Sequence, residues 1–523
     1  MKKIVRNILS GYFLVLLVLL LEVLALIALQ IFGDDLLALM GFNASSLAQA
    51  IIYISVRAVE FIVAFIIFFR IINKAEDPEF KIPWLVAMLL LPLFTSVMYL
   101  IFGNHGLRRQ DKRIVEQSKA HFQEYKDIIY HRIPKENLAG AIGSVNYIQN
   151  ITGLSAHANN RVKYYATGEE FFPDMMKALS EAEEFIFMEF FIITDGKEWD
   201  QARSILIEKA KKGVEVRLVY DDMGCGGTID ADTPKQLAQY GIKCHKFHPF
   251  RPILSGMYNN RDHRKIVVVD HKYGFTGGCN LADEYANEIK RFGYWKDTMI
   301  RIEGSGINNL ISVFLQNFDL AQGEPTDAFK YLMYEYEQFD EEGYVMPFGD
   351  GPGGIDDALI GEQNYINILN YAKKSVFIST PYLIPTYSLL DAMRNAALRG
   401  VEVNLILPGI PDKKAVYAIA KSHFRFLLDA GVNIYLYTPG FNHMKTALAD
   451  GKLAFVGTIN FDFRSLVHHF ECGTLLYKVN CMKEIREDFD QMISVSEQVP
   501  TNYKLKRGTQ WFCSIVKLIT PLL

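Results

Sequence analysis

The feature that most restricts what this chain can fold into is an internal duplication. "HRKIVVVD" at His263 to Asp270 is followed by "GGCN" at Gly277 to Asn280, and "HMKTALAD" at His443 to Asp450 is followed at equal distance by "GTIN" at Gly457 to Asn460. Flanking segments match as well. "KKGVEVRLVYDD" at Lys211 to Asp222 parallels "LRGVEVNLILPG" at Leu398 to Gly409, and "QYGIKCHKFHP" at Gln239 to Pro249 parallels "DAGVNIYLYTPG" at Asp429 to Gly440. Each reads as a helix end, a glycine and a buried strand. The alternation of short apolar runs with amphipathic stretches predicts an α/β chain with mixed sheets flanked by helices, built as two pseudo-symmetric lobes. The glycines of "FGDGPGG", Phe348 to Gly354, read as the linker between the copies. Such a duplication sets matching motifs across a pseudo-twofold interface, so that each half contributes to one site.

The first hundred residues are of another kind. Ile8 to Phe32 has Glu22 as its only charge and is long enough to span a bilayer core; Lys2, Lys3 and Arg6 precede it, and its length exceeds that of a cleaved leader. Leu47 to Phe69 is a second apolar segment, whose Arg57 and Glu60 can meet on one helix face. Pro83 to Phe102, interrupted by Pro92, is a third. Basic residues flank the first two as the positive-inside rule requires, but three full crossings would put Arg108, Arg109, Lys112 and Arg113 on the wrong face. The reading that keeps the rule has the third segment dip into the bilayer and return. The expected divisions are a membrane region at 1–112, a first lobe at 113–347, a second lobe at 348–500 and a membrane-proximal tail at 501–523, where Trp511 and the basic Lys504, Lys506 and Arg507 suit an anionic surface and, equally, the apolar end suits a helix completing the soluble core.

In each copy the His and the Lys two residues on share one face of a strand, giving a base beside a fixed positive charge. One such motif could be a half-exposed polar strand, but two in register with the same Gly and Asn are not easily coincidental. Two imidazoles and two ammonium groups suit a tetrahedral, anionic phosphorus centre: one ring attacks, the other moves the proton, and the lysines and asparagine amides offset the oxygen charge without a metal. No metal or cofactor is expected. Asp221 and Asp222 read as a strand-ending turn, His245 and His248 as strand-edge side chains, and the six cysteines, with no CxxC pair, as reduced and mostly buried thiols.

These motifs, with "YWKDTMIRIEG", "STPYLIP", "GFNHMKTALADGKLAFVGTINFDFRS" and the N-terminal "MLLLPLFTSVMYLIFG", make the chain resemble bacterial cardiolipin synthases of the phospholipase D superfamily over nearly its whole length. The resemblance implies a two-lobed phospholipase D-like fold behind an N-terminal transmembrane region. It also implies a covalent phosphatidyl-histidine and transfer of a phosphatidyl group between two phosphatidylglycerol molecules with release of glycerol. It assigns His263, Lys265 and Asp270 to one half-site and His443, Lys445 and Asp450 to the other, with His263 as nucleophile and His443 as acid/base, an order the symmetry alone does not fix. Asn280 and Asn460 fit its phosphate-contacting asparagines, and Glu471 a partner of a catalytic imidazole; His469 stands where the family commonly has Asn. The implied partners are phosphatidylglycerol and the lipid bilayer, with the chain in a bacterial plasma membrane; the placement of basic residues, with the third segment returning, puts the lobes on the cytoplasmic side. A hydrolytic phospholipase D, or a transferase using another alcohol, would use the same residues. A nuclease is disfavoured by a formal charge of -4 and no basic stripe, so no nucleic-acid partner is expected. A non-catalytic lipid-binding scaffold would not need paired motifs.

Overall fold

The computed structural model describes residues 46–103, 106–124, 138–249, 259–333, 337, 339–352 and 358–520. The apolar segment from Ile8 to Phe32 lies outside them, as does the side chain of Arg57. The chain divides into two compact units, one of residues 1–105, 251–258 and 514–523, the other of 106–250 and 259–513.

In the first unit, helix α1 (Ser46–Asn73) is followed by α2 (Pro78–Leu90) and α3 (Pro92–Phe102). Asp77 caps α2 by accepting from the Glu79 amide at 3.0 Å, with Pro78 in the first turn. Pro92 opens α3, so the third apolar segment is two short helices rather than one. A small core of Ala64, Ile67, Ile71, Met88 and Tyr99 joins the three. Among the described residues no helix is long and apolar enough to cross a membrane.

The second unit carries the duplication, strand for strand. In the first lobe the chain forms β1 (Phe185–Phe190), β2 (Lys265–Val269) and the short β3 (Tyr294–Lys296). In the second it forms β4 (Ser375–Ser379), β5 (Gly440–Asn442), β6 (Thr446–Ala449) and β7 (Glu471–Tyr477). The first sheet runs Arg161–Tyr165, Met299–Glu303, Tyr273–Gly277, β2, β1, Glu215–Asp221, Lys243–Phe247. The second repeats the last six places as β7, Leu453–Gly457, β6, β4, Glu402–Pro408, Asn433–Tyr437, with His157–Ala158, Tyr344–Asp350 and Ser496–Gln498 at its edges. In both, the central strand (β1 or β4) is antiparallel to the motif strand and parallel to the next. Strands buried on both faces need near-continuous apolar sequence, and "KIVVV" and "TALA" supply it.

One face of the first sheet is covered by helices Gly168–Glu181 and Lys197–Lys211 through Phe171, Met175, Trp199 and Leu206. Helix Ile307–Gln322 lies against the other face, where Phe314 stacks on Phe187 at 4.6 Å, and belongs to one continuous core with the second lobe. The supposed linker begins differently from expectation: Phe348 to Asp350 complete a strand paired to β7, and the glycine of "FGD" fits because the strand passes over the Arg264 guanidinium. Gly353 and Gly354 lie outside the described residues. All six cysteines are free and buried.

Candidate active site

Two small strands exchange between the lobes. β3 of the first lobe pairs in parallel with β5 of the second, and the His443 amide donates to the Lys296 carbonyl at 2.7 Å. On the other side Asp262 bridges to Phe470, and the His263 amide donates to the Phe470 carbonyl at 2.8 Å. Each histidine loop is therefore hydrogen-bonded to the opposite lobe.

The side chains follow the same exchange. His263 Nδ1 lies 2.9 Å from Glu471 Oε2, and His443 Nδ1 lies 2.6 Å from Asp297 Oδ2. Glu471 thus serves the first lobe's histidine and Asp297 the second's. Glu471 also accepts from Ser465 and Thr458, while the Thr298 amide donates to Asp297 at 2.9 Å. Lys265 and Lys445, the first residue of β2 and the residue before β6, are fully buried; each donates to the carbonyl of its own histidine, and Lys445 Nζ lies 3.7 Å from Asp297 and 2.7 Å from His443 Nδ1.

Burial decides the protonation states. It lowers His263 to about 3 and His443 to about 4, in spite of the carboxylate beside each ring. It lowers Lys265 to about 7, against the pull of Glu471 and with a further push from Lys445, and Lys445 to about 8 against Asp297. Burial alone would raise the two carboxyl groups, but His263 outweighs it at Glu471, and Lys445 with His443 outweighs it at Asp297, so both are held below their ordinary values. The resting site accordingly pairs neutral imidazoles with carboxylates. Where Nδ1–H is donated to the carboxylate the ring keeps its Nε2 lone pair for substrate; at His443 that tautomer requires Lys445 to direct its protons to the His443 carbonyl instead of to Nδ1.

The other expected residues divide. The structure ties Asp270 and Asp450, which the resemblance put in the half-sites, to backbone amides at the far ends of the motif strands, as groups that anchor and not as groups beside the histidines. Each ends its motif strand in a left-handed turn (φ 50° and 52°) and accepts three amides: Glu183, Glu184 and Phe185 for Asp270, Lys373, Lys374 and Ser375 for Asp450. They fix the start of β1 and β4, and their spacing from the histidine is the length of a strand. Asn280 is committed to the protein, its amide donating to the Tyr285 hydroxyl at 2.7 Å and its carbonyl accepting from the Ile192 amide at 3.0 Å. Asn460 is buried with its Oδ1 unpartnered among the described residues.

Asp297 escaped the sequence reading. It lies in "YWKD", and the only signal for it was its place downstream of Asn280, parallel to that of Glu471 downstream of Asn460. His469 also joins the site: its ring centroid is 5.5 Å from that of His263, and its Nδ1 is 3.6 Å from Glu471 Oε1, beyond hydrogen-bonding distance. His263, His469 and Glu471 present ligand atoms within 4.8 Å of one another, so a metal could be held there only by occupying His263. Asp221 is the turn it was expected to be, accepting from the Met223 and Gly224 amides.

A two-lobed α/β fold whose paired His and Lys motifs are each hydrogen-bonded to the opposite lobe is that of the phospholipase D-like enzymes. A family described as "Cardiolipin synthase, PLD-like domain" matches residues 175–312 and 365–493, and one described as "Phospholipase_D-nuclease N-terminal" matches 62–104. The chain is 33% identical over 475 residues to cardiolipin synthase 2 of Bacillus cereus, covering 88% of this chain and 90% of that protein. It is 34% identical over 472 residues to a cardiolipin synthase of a Geobacillus species, covering 88% and 91%. The crystal structure of phosphatidylserine synthase from Haemophilus influenzae shares the fold with a TM-score of 0.55 at 13% identity, over 73% of this chain and all of that one. The chain belongs to the cardiolipin synthase family with phospholipase D-like domains.

Proposed function

We propose that this protein forms cardiolipin by moving a phosphatidyl group from one phosphatidylglycerol to the glycerol hydroxyl of another. The observation that carries this is the reciprocal pairing of His263 with Glu471 and His443 with Asp297 beside two buried lysines. His263 Nε2 attacks phosphorus; the P–N bond forms as the P–O bond to the departing glycerol breaks, and His443 gives that oxygen its proton. His443 then takes the proton from the hydroxyl of the second phosphatidylglycerol, whose oxygen displaces His263. Lys265 and Lys445 offset the charge on the non-bridging oxygens. The phosphodiester anion raises the two lysines and the acid/base histidine from their depressed values as it enters, so the site charges when substrate is present. One phosphodiester replaces another, and no nucleotide is consumed.

The same reading places residues 1–112 in the bilayer of a bacterial cell, with the lobes at 113–347 and 348–500 on the cytoplasmic side. Support comes from the outward apolar side chains of α1, including Ile54, Phe61, Phe65 and Ile66. The tail at 501–523 contains helix α4 (Arg507–Ile519), which turns Trp511, Phe512, Ile515 and Leu518 outward beside Lys504, Lys506 and Arg507 and suits an anionic membrane surface. The deciding assay supplies purified protein in vesicles with isotopically labelled phosphatidylglycerol. Labelled cardiolipin with free glycerol is expected; phosphatidic acid alone would make the protein a hydrolase.

A further inference from the structure

The third apolar segment folds back on itself. Tyr99 of α3 packs against Trp84 of α2, ring centroids 5.4 Å apart and planes at 82°, although Trp84 precedes and Tyr99 follows the break at Leu91. Before the first helix and after the second, Lys74 Nζ donates to the Gly103 carbonyl at 3.2 Å. The two helices are therefore antiparallel, with their open ends together and Leu91–Pro92 at the tip. At about 1.5 Å per residue, helices of 13 and 11 residues reach roughly 20 and 16 Å, well short of a hydrocarbon core of about 30 Å. The break also meets the demand that lipid places on backbone. The Leu91 amide donates to the Ala87 carbonyl, Pro92 has no N–H, its carbonyl takes the Ser96 hydroxyl at 2.6 Å, and the Thr95 amide returns to Leu91.

The surface of the hairpin is graded. From Ile82 through Gly103 there is no charged residue, and at the tip Leu89 and Leu90 are 79% and 75% exposed, with Leu93 and Leu100 also outward. At the open end stand Arg70, Lys74 and Lys81 together with Glu76, Asp77 and Glu79; Glu76 pairs with Lys74, and Lys81 Nζ donates to the Ile72 carbonyl at 2.9 Å. Water would be a poor solvent for this tip and an acyl layer a good one, with the charged end in the headgroup layer.

We infer that α2 and α3 form a re-entrant hairpin that enters the bilayer from the side of Lys74 and leaves on the same side, without crossing. The inference rests on the membrane reading of the N-terminal region given above. It has a consequence for sidedness: Arg108, Arg109, Lys112 and Arg113 then emerge on the face that holds Arg70, Lys74 and Lys81, and the positive-inside rule is kept along the whole region.

The test is single-cysteine labelling of the full chain in sealed vesicles containing phosphatidylglycerol, with a membrane-impermeant maleimide; the six native cysteines are buried and give the background. The exposed Ala75 and Gln110 flank the hairpin. Ala75→Cys and Gln110→Cys should react from one and the same face, and Leu90→Cys from neither until detergent is added. Reaction of the two flanking cysteines from opposite faces would overturn the inference, as would ready labelling of Leu90→Cys in intact vesicles. Cardiolipin formation is measured in the same vesicles, so that a missing product with the expected labelling rejects the chemistry and leaves the hairpin standing.

Discussion

His263 hydrogen-bonds through Nδ1 to a carboxylate, Glu471, that lies 208 residues away in the other lobe. The relation is reciprocal, since His443 does the same with Asp297. Each ring is held in one tautomer by a group that its own sequence repeat does not contain.

Glu471→Gln and Asp297→Asn should each lower kcat by about 10²–10⁴-fold with little change in KM, because the neutral amide can accept from Nδ1 but cannot stabilise a charged ring. Steady-state kinetics on vesicles checks this. Full activity in Glu471→Gln would remove the carboxylate from the mechanism. His263→Ala and His443→Ala should abolish cardiolipin formation.

The turn aspartates should behave in the opposite way. Asp270→Asn keeps a residue that tolerates the left-handed turn but weakens three amide contacts, at a cost of about 1–3 kcal/mol. The expected outcome is a lower Tm with kcat per folded molecule near that of the parent. A severe loss of kcat at unchanged Tm would return Asp270 to the chemistry.

The depressed lysines set the pH dependence. Burial brings Lys265 to about 7 and Lys445 to about 8 in the free protein, so rising pH through that interval removes the charges that receive the phosphodiester. kcat/KM should fall from pH 7 to 9. With His263 at about 3, no acid limb is expected near the ordinary histidine value, and His443, lowered to about 4, adds to the fall because it must carry a proton to act as the acid. A profile that climbs between pH 6 and 8 would contradict this assignment.

His469→Asn should retain activity within about tenfold of the parent, equivalent to about 1.4 kcal/mol, since His469 Nδ1 lies 3.6 Å from Glu471 Oε1, beyond hydrogen-bonding distance. A loss as large as that of Glu471→Gln would show that the third ring takes part in proton transfer.

Arg264 joins the lobes: its guanidinium donates to the Glu471 and Val313 carbonyls at 3.0 and 2.8 Å, to Gln316 at 2.8 Å and to the Asp350 carbonyl at 3.1 Å. Arg264→Met leaves these acceptors without their cation, and should lower stability by about 3 kcal/mol, read by denaturant unfolding, with activity falling in step. Unchanged stability would mean that other contacts carry the lobe interface.

The duplication, the equivalent strand order and the His and Lys pairs were legible because repetition and period-two patterning are local properties of sequence. Glu471 was legible only through resemblance, and Asp297 left no signal but its place downstream of Asn280. A carboxylate is defined as a partner by the lobe it faces, and the β3–β5 exchange that turns it there leaves no periodic trace. The motif aspartates recur at fixed spacing because both copies share one need, which here is to close a turn. Phe348 to Asp350 read as linker because glycine and aspartate are turn formers, whereas their position over Arg264 calls for a small residue in a strand. Leu91–Pro92 gave the break in the third apolar segment, but the antiparallel return required the packing of Trp84 on Tyr99.

The exchange of acidic partners also bears on how such a chain can change over time. A substitution at residue 471 is felt by the imidazole of the first repeat, and one at residue 297 by that of the second. The two copies are therefore tied in their descent, and neither can decay into a passive scaffold while its twin goes on working.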